Sequence, residues 1–160
     1  MTIVVKAPQP IPNENALKIF LGGSIDMGAA EDWQDRLAND LSDYDDGLIL
    51  INPRRDDWDA SWKQDPTPGT QFYEQVDWEL VNQENADGIV YYFAAGSKSP
   101  ITLLELGLFK DQPVIVCCPK EFYRYGNVKM VCDRYEIAMV ETYEDLLKFL
   151  RDAIDADYAA

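Results

Sequence analysis

The chain has 160 residues, 29 acidic and 14 basic side chains and no histidine, giving a formal charge of −15. Such a length suits one domain with a single sizeable core. The charge excludes a nucleic-acid binder that works through phosphate contacts, and the missing histidine excludes a His-based triad, general base or zinc site.

In chain order, residues 1–16 are interrupted by prolines at 8, 10 and 12 and read as an extended arm, neither signal peptide nor membrane span. The run "KIFLGGSI" (18–25) predicts a buried strand, followed by an amphipathic helix over about 30–43. A second strand, "LILINP" (48–53), leads through a Pro/Asp/Trp-rich loop to a helix over 70–85. "GIVYYFA" (88–94) is a third strand, and the apolar "SPITLLELGLF" (99–109) a helix. "PVIVCC" (113–118) and "IAMV" (137–140) give two more strands, separated by a short helix over 127–135, and a closing helix follows. The cysteines at 117, 118 and 132 fit neither a disulfide framework nor zinc spacing and read as buried, reduced thiols of a cytoplasmic protein. Apolar strands alternating with amphipathic helices predict an α/β fold: a three-layer, doubly wound, five-stranded parallel sheet in the flavodoxin-like order 2-1-3-4-5. Residues 1–160 then form a single domain.

In that arrangement ligands bind beyond the carboxyl ends of the strands, at "GGSIDMG" (22–28), "NPRRDDW" (52–58) and "AAGSKSP" (94–100). Two acids interrupt apolar helix faces near this rim. Glu105 lies among Ile101, Leu104 and Leu108, and Asp77 among Tyr73, Val76, Leu80 and Val81. Burying a carboxylate is costly, so each has a partner or a chemical task, and a coupled pair divides one proton between its members. Gly22 and Gly23 allow close backbone approach, either of a ligand or of a neighbouring strand. Asp26 is a sugar-hydroxyl acceptor or a helix N-terminal acid. Asp57 and Trp58 sit in a connection long enough to reach a ligand, although a Trp there also serves to cover a core edge. Asn127 reads from its position as the N-cap of the next helix.

The motifs "NPRRDDW", "FYEQVDWELVNQENADGIVYYF", "LLELG" and "RYGNV" together resemble the nucleoside 2-deoxyribosyltransferase-like superfamily, over about residues 18–150. The resemblance implies a Glu, in a Glu–Leu–Gly setting matched by Glu105–Leu106–Gly107, that attacks C1′ of a deoxynucleoside. It implies an active-site Asp at the place of Asp77 and an Asn, at Asn127, that reaches a neighbouring subunit's site. It also implies no metal and no organic cofactor. The transferases commonly carry an Asp about six residues before the nucleophile, where this chain has Ser97, Lys98 and Ser99. The nucleotide N-glycosidase relatives use hydroxyls in that loop and share a Gly–Ser–Ile, present here as Gly23–Ser24–Ile25.

The expected activity is therefore cleavage of the N-glycosidic bond of a 2′-deoxynucleoside through a covalent glycosyl–Glu105 intermediate, with transfer to another nucleobase. Transfer to water, or non-catalytic nucleotide sensing, are the alternatives. The expected partner is a small nucleoside or nucleotide, without nucleic acid or membrane. A homo-oligomer is expected too, closed by the aromatic segment Phe122, Tyr123 and Tyr125 around Arg124.

Overall fold

A computed structural model describes residues 1–25, 31–44, 47–57 and 61–160. Strands β1 (Ile3–Lys6), β2 (Leu17–Gly23), β3 (Leu48–Asn52), β4 (Gly88–Tyr92), β5 (Val114–Cys117) and β6 (Ala138–Val140) form one sheet in the order β1-β3-β2-β4-β5-β6. Every neighbouring pair is parallel. Helices α1 (Trp33–Asp40), α2 (Gln71–Asn85), α3 (Pro100–Leu108), α4 (Tyr125–Arg134) and α5 (Tyr143–Ala159) make the crossovers and the C-terminal cover.

The sheet has six strands rather than the five expected. The extra strand is the N-terminal segment, which extends the expected order at one edge by pairing Ile3 with Ile49 and Val5 with Ile51. The physical reason lies in β3, whose five residues are all buried. A strand covered on both faces and exposed along one edge would leave backbone donors and acceptors unpaired, and β1 supplies them.

Successive residues of each strand enter opposite cores, as the two-residue period requires. Phe20, Ile49, Ile51, Ile89 and Tyr91 pack with Leu106, Phe109 and Val128 on the side of α2, α3 and α4. Leu21, Leu48, Leu50, Val90 and Ile115 pack with Leu37, Leu146 and Leu150 on the side of α1 and α5. The three cysteines are free and buried, and burial pushes the Cys117 and Cys118 thiols up to about 12 and Cys132 to about 11. Among the described residues no helix is long and apolar enough to cross a membrane.

Two helix faces differ from the sequence expectation. On α3 the buried residues are Thr102 and Leu106, continued by Phe109, whereas Ile101, Leu104 and Leu108 are 58%, 66% and 61% exposed. Glu105 stands at the border between the two faces and is partly buried. On α2 the fully covered residues are Gln75 and Gln83, and Val81 is exposed. Asp77 points away from the core side and is exposed, so it is not the buried-face acid the spacing suggested. With an apolar-in rule the strip Gln75–Glu79–Gln83, one residue per turn, looks like the solvent side. Here it faces the sheet.

Candidate active site

The inward strip of α2 meets α3 where the Tyr91 side chain of β4 reaches it. Gln83 is fully buried and stands at the junction. Its Nε2 donates to Glu105 Oε2 at 2.5 Å and to the Glu79 backbone carbonyl at 3.2 Å. Its Oε1 accepts from the Tyr91 hydroxyl at 2.5 Å. One turn earlier, Gln75 Nε2 donates to Glu79 Oε1 at 3.1 Å and to the Pro53 carbonyl at 3.2 Å. Arg55 Nη1 contacts Gln75 Oε1 at 3.4 Å while its Nε and Nη2 hold Asp57 in a two-pronged pair, each bond 2.9 Å. A continuous polar line therefore runs Asp57–Arg55–Gln75–Glu79, then Glu105–Gln83–Tyr91.

The two carboxyls are unequal. Desolvation raises Glu79, and the nearby charge of Glu105 raises it further, to about 7, against a smaller opposing effect of the Gln75 amide. Burial also raises Glu105, but the Gln83 amide pulls it back. Burial and the Glu105 charge push the Tyr91 hydroxyl well above its ordinary range, so it is a neutral donor at any physiological pH. Two neighbouring buried acids, the more strongly raised of them Glu79, make an arrangement that can attack with one carboxylate and protonate with the other.

The loops at the rim are tightly built. Ser24, Ser97 and Ser99 form a closed triangle of hydroxyls, with Oγ–Oγ separations of 2.7, 2.6 and 2.6 Å. Ser24 Oγ also accepts from the Ala94 amide at 3.0 Å. Ser99 has φ 46°, a left-handed conformation that turns the chain into Pro100 and α3. Gly23 has φ 144°, and a Cβ there would come within 2.3 Å of the Tyr92 carbonyl oxygen. A Cβ on Gly22 would meet the Tyr91 ring at 2.9 Å. Of the two readings of this pair, the neighbouring-strand approach is the one these contacts describe.

Among the other expected site residues, Asp57 is exposed, and its hydrogen bonds to Arg55 hold it below the usual carboxylate range. Asp26 and Trp58 lie outside the described residues. Asn127 is not a helix cap, since Arg124 takes that position and Asn127 lies within the first turn of α4. It is exposed and lines a groove of about 330 Å³ between α3 and α4 with Leu103, Leu106 and Val131. Phe122 is not part of an exposed cluster: it is buried against Phe93, ring centroids 4.8 Å apart, while Tyr123 remains exposed. Among the described residues no group of three or more His, Cys, Asp or Glu side chains is placed to hold a metal ion.

Sequence reasoning missed Glu79, Gln75 and Gln83. The available signal was the repeat itself: an acid with a glutamine one turn before it and another one turn after, on a helix that must pack against a sheet.

Comparison with known proteins follows the same lines. No curated protein matches the chain. Among solved structures it is similar to one described as a conserved protein from Enterococcus faecalis V583, at 16% identity, covering 86% of this chain and 99% of that one, with a TM-score of 0.62. That likeness is one of fold. The sequence pattern described as nucleoside 2-deoxyribosyltransferase like matches residues 16–122, a span that includes Glu79, Gln83, Glu105 and the serine triangle and ends before Asn127. The chain belongs to the nucleoside 2-deoxyribosyltransferase-like family.

Proposed function

We propose that this protein exchanges the base of a 2′-deoxynucleoside, with Glu105 as nucleophile and Glu79, in place of the expected Asp77, as the proton carrier. The observation that carries this is the coupled acid pair: Glu79 raised to about 7 beside a Glu105 held by an amide donor. In the first step a Glu105 carboxylate oxygen bonds to C1′ as the N-glycosidic bond breaks. Its electron pair leaves with the base, which takes the Glu79 proton. In the second step a nitrogen of the incoming base attacks C1′, Glu105 leaves as carboxylate, and Glu79 recovers a proton from that nitrogen. This is retaining glycosyl transfer, in which a carboxylate stabilises positive charge at C1′ before bonding to it. Substrate contacts are assigned to the rim residues Ser24, Asp57, Ser97 and Ser99, and to Asn127 of a neighbouring subunit.

One observation favours water as acceptor instead. Ser99, six residues before Glu105, is a buried hydroxyl where a transferase would hold the sugar with a carboxylate. Chromatography after incubation with deoxynucleosides and a free base separates the readings. Base exchange without free sugar supports transfer, and free sugar whatever the acceptor supports hydrolysis. Tight binding in a thermal-shift screen with no turnover would leave a sensor and defeat both.

The exposed stripe on α3 supports the oligomer. Burial of each of Ile101, Leu104 and Leu108 is worth roughly 1.5–3 kcal/mol, and a chain that leaves three in line commonly covers them with a partner. The stripe carries no charge, which suits a contact between two strongly negative chains. Leu104→Glu is expected to convert the oligomer to a monomer by light scattering, with loss of most activity. Mixing Asn127→Ala with Glu105→Ala protein should restore part of it, because hybrids rebuild some intact sites. A fully active wild-type monomer would reject the shared site.

A further inference from the structure

We infer that Gln83 is a positioning residue acting through Glu105: clamped by the Glu79 carbonyl and the Tyr91 hydroxyl, its amide presents one N–H that favours the ionised form of Glu105, and so leaves the shared proton on Glu79. This deepens the function proposed above and rests on its assignment of Glu105 and Glu79.

The argument is one of donors and acceptors. Nε2 carries two hydrogens, one directed to the Glu79 backbone carbonyl and the other to Glu105. The carbonyl can only accept, so a flipped amide would set oxygen against oxygen there. Tyr91, with its hydroxyl proton retained, donates to Oε1 and fixes the same orientation from the opposite end. Each end of the clamp is buried, Gln83 and Tyr91 both having no exposed surface. The remaining N–H faces Glu105 permanently, and a hydrogen bond donated to a carboxylate favours its charged form. Glu79 has a weaker device of the same kind. Gln75 is likewise anchored on a backbone carbonyl, that of Pro53 at 3.2 Å, but it bonds Glu79 at the longer 3.1 Å, and its oxygen is held by a 3.4 Å contact of Arg55 where Gln83 has the 2.5 Å bond from Tyr91. Among the described residues, the charged or titratable groups facing the pair are thus Tyr91 from β4, the acids themselves from α2 and α3, and Arg55 with its bound Asp57 from the loop after β3.

The test needs no substrate. Carbon-detected NMR titration of glutamate carboxyls in the intact protein should show Glu105 titrating first from low pH and Glu79 second. Gln83→Met, which keeps the volume and removes the donor, should raise the Glu105 midpoint by about one unit. Tyr91→Phe should move it the same way by less, since the amide keeps its other anchor. Glu79→Gln, which keeps the backbone carbonyl of the clamp and changes only the side chain, should leave the Glu105 midpoint within about 0.3 unit, because Glu79 is already neutral when Glu105 titrates. A large fall of the Glu105 midpoint in Glu79→Gln would place the proton on Glu105 and overturn the inference, even if neither clamp variant folds. Unchanged titration in folded Gln83→Met and Tyr91→Phe would overturn it as well. Were deoxynucleosides not turned over while the titrations behave as stated, the proposed activity would fall and the clamp would stand.

Discussion

Glu105→Gln is expected to lower the rate of base exchange by on the order of 10⁴-fold or more while leaving the fold intact. The substitution is close to isosteric, and the new amide oxygen still accepts from Gln83, so the junction of α2, α3 and β4 keeps its hydrogen bonds. What it cannot do is form and release an ester at C1′. The sharper measurement is mass spectrometry after acid quench with a deoxynucleoside. Wild-type peptide containing residue 105 should gain one deoxyribosyl group, and the variant should not. Exchange that persists at the wild-type rate would remove Glu105 from the mechanism. A removed carboxylate also relieves the desolvation that raises Glu105, so the variant should melt no lower than the wild type.

The Glu79→Gln variant is the second large effect. As proton carrier Glu79 should account for roughly 10²–10⁴-fold in kcat, and the alkaline limb of the pH–rate profile, placed near 7 by loss of its proton, should disappear. Asp77→Asn, on the exposed side of the same helix, is the control and should change little. Stability gives an independent reading. Glu79 has its folded value raised from 4.5 to about 7, so the folded state binds its proton more tightly than the unfolded chain. Its contribution is fully present below about pH 4.5 and is lost as pH climbs through 7, a fall on the order of 3 kcal/mol by linkage. Asp43 and Asp57, lowered by Arg151 and Arg55, act in the opposite direction and only on the acid side. Urea unfolding from pH 5 to 8 should therefore show a decline that Glu79→Gln flattens. A decline of equal size in the variant would assign it elsewhere.

How far the sequence could be read depends on which forces decide each element. β2 to β6 were legible because a continuous apolar run between turn residues has few other fates. β1 was not, since "IVV" followed by three prolines looks like an arm and its pairing with β3 is a tertiary event. Glu105 stood out as an acid in an apolar helix, but its neighbours misled: Ile101, Leu104 and Leu108 look inward by composition and lie outward in the structure. Glu79 was hidden by the converse, a polar strip turned inward where amides satisfy one another and the acids. Both errors come from one assumption, that apolar residues face the chain's own core. It fails where a helix borders a site and presents its apolar side to something else.

The N-terminal arm carries a comparative consequence. Lys6 reaches Asp56 in the loop that holds Arg55, Ala7 donates to the Asn52 carbonyl, and the Trp78 indole of α2 donates to the Gln9 carbonyl. Ile11 packs on the same core as Trp78 and Leu80. The helix bearing Glu79 is thus held both by the sheet and by a segment that precedes residue 16, where the family match begins. Relatives with the same acids and glutamines but a different leading segment would seat that helix on different supports. Differences in rate or pH response among them then need not trace to any residue of the site, and an alignment restricted to the shared segment would have no column in which to look for the cause.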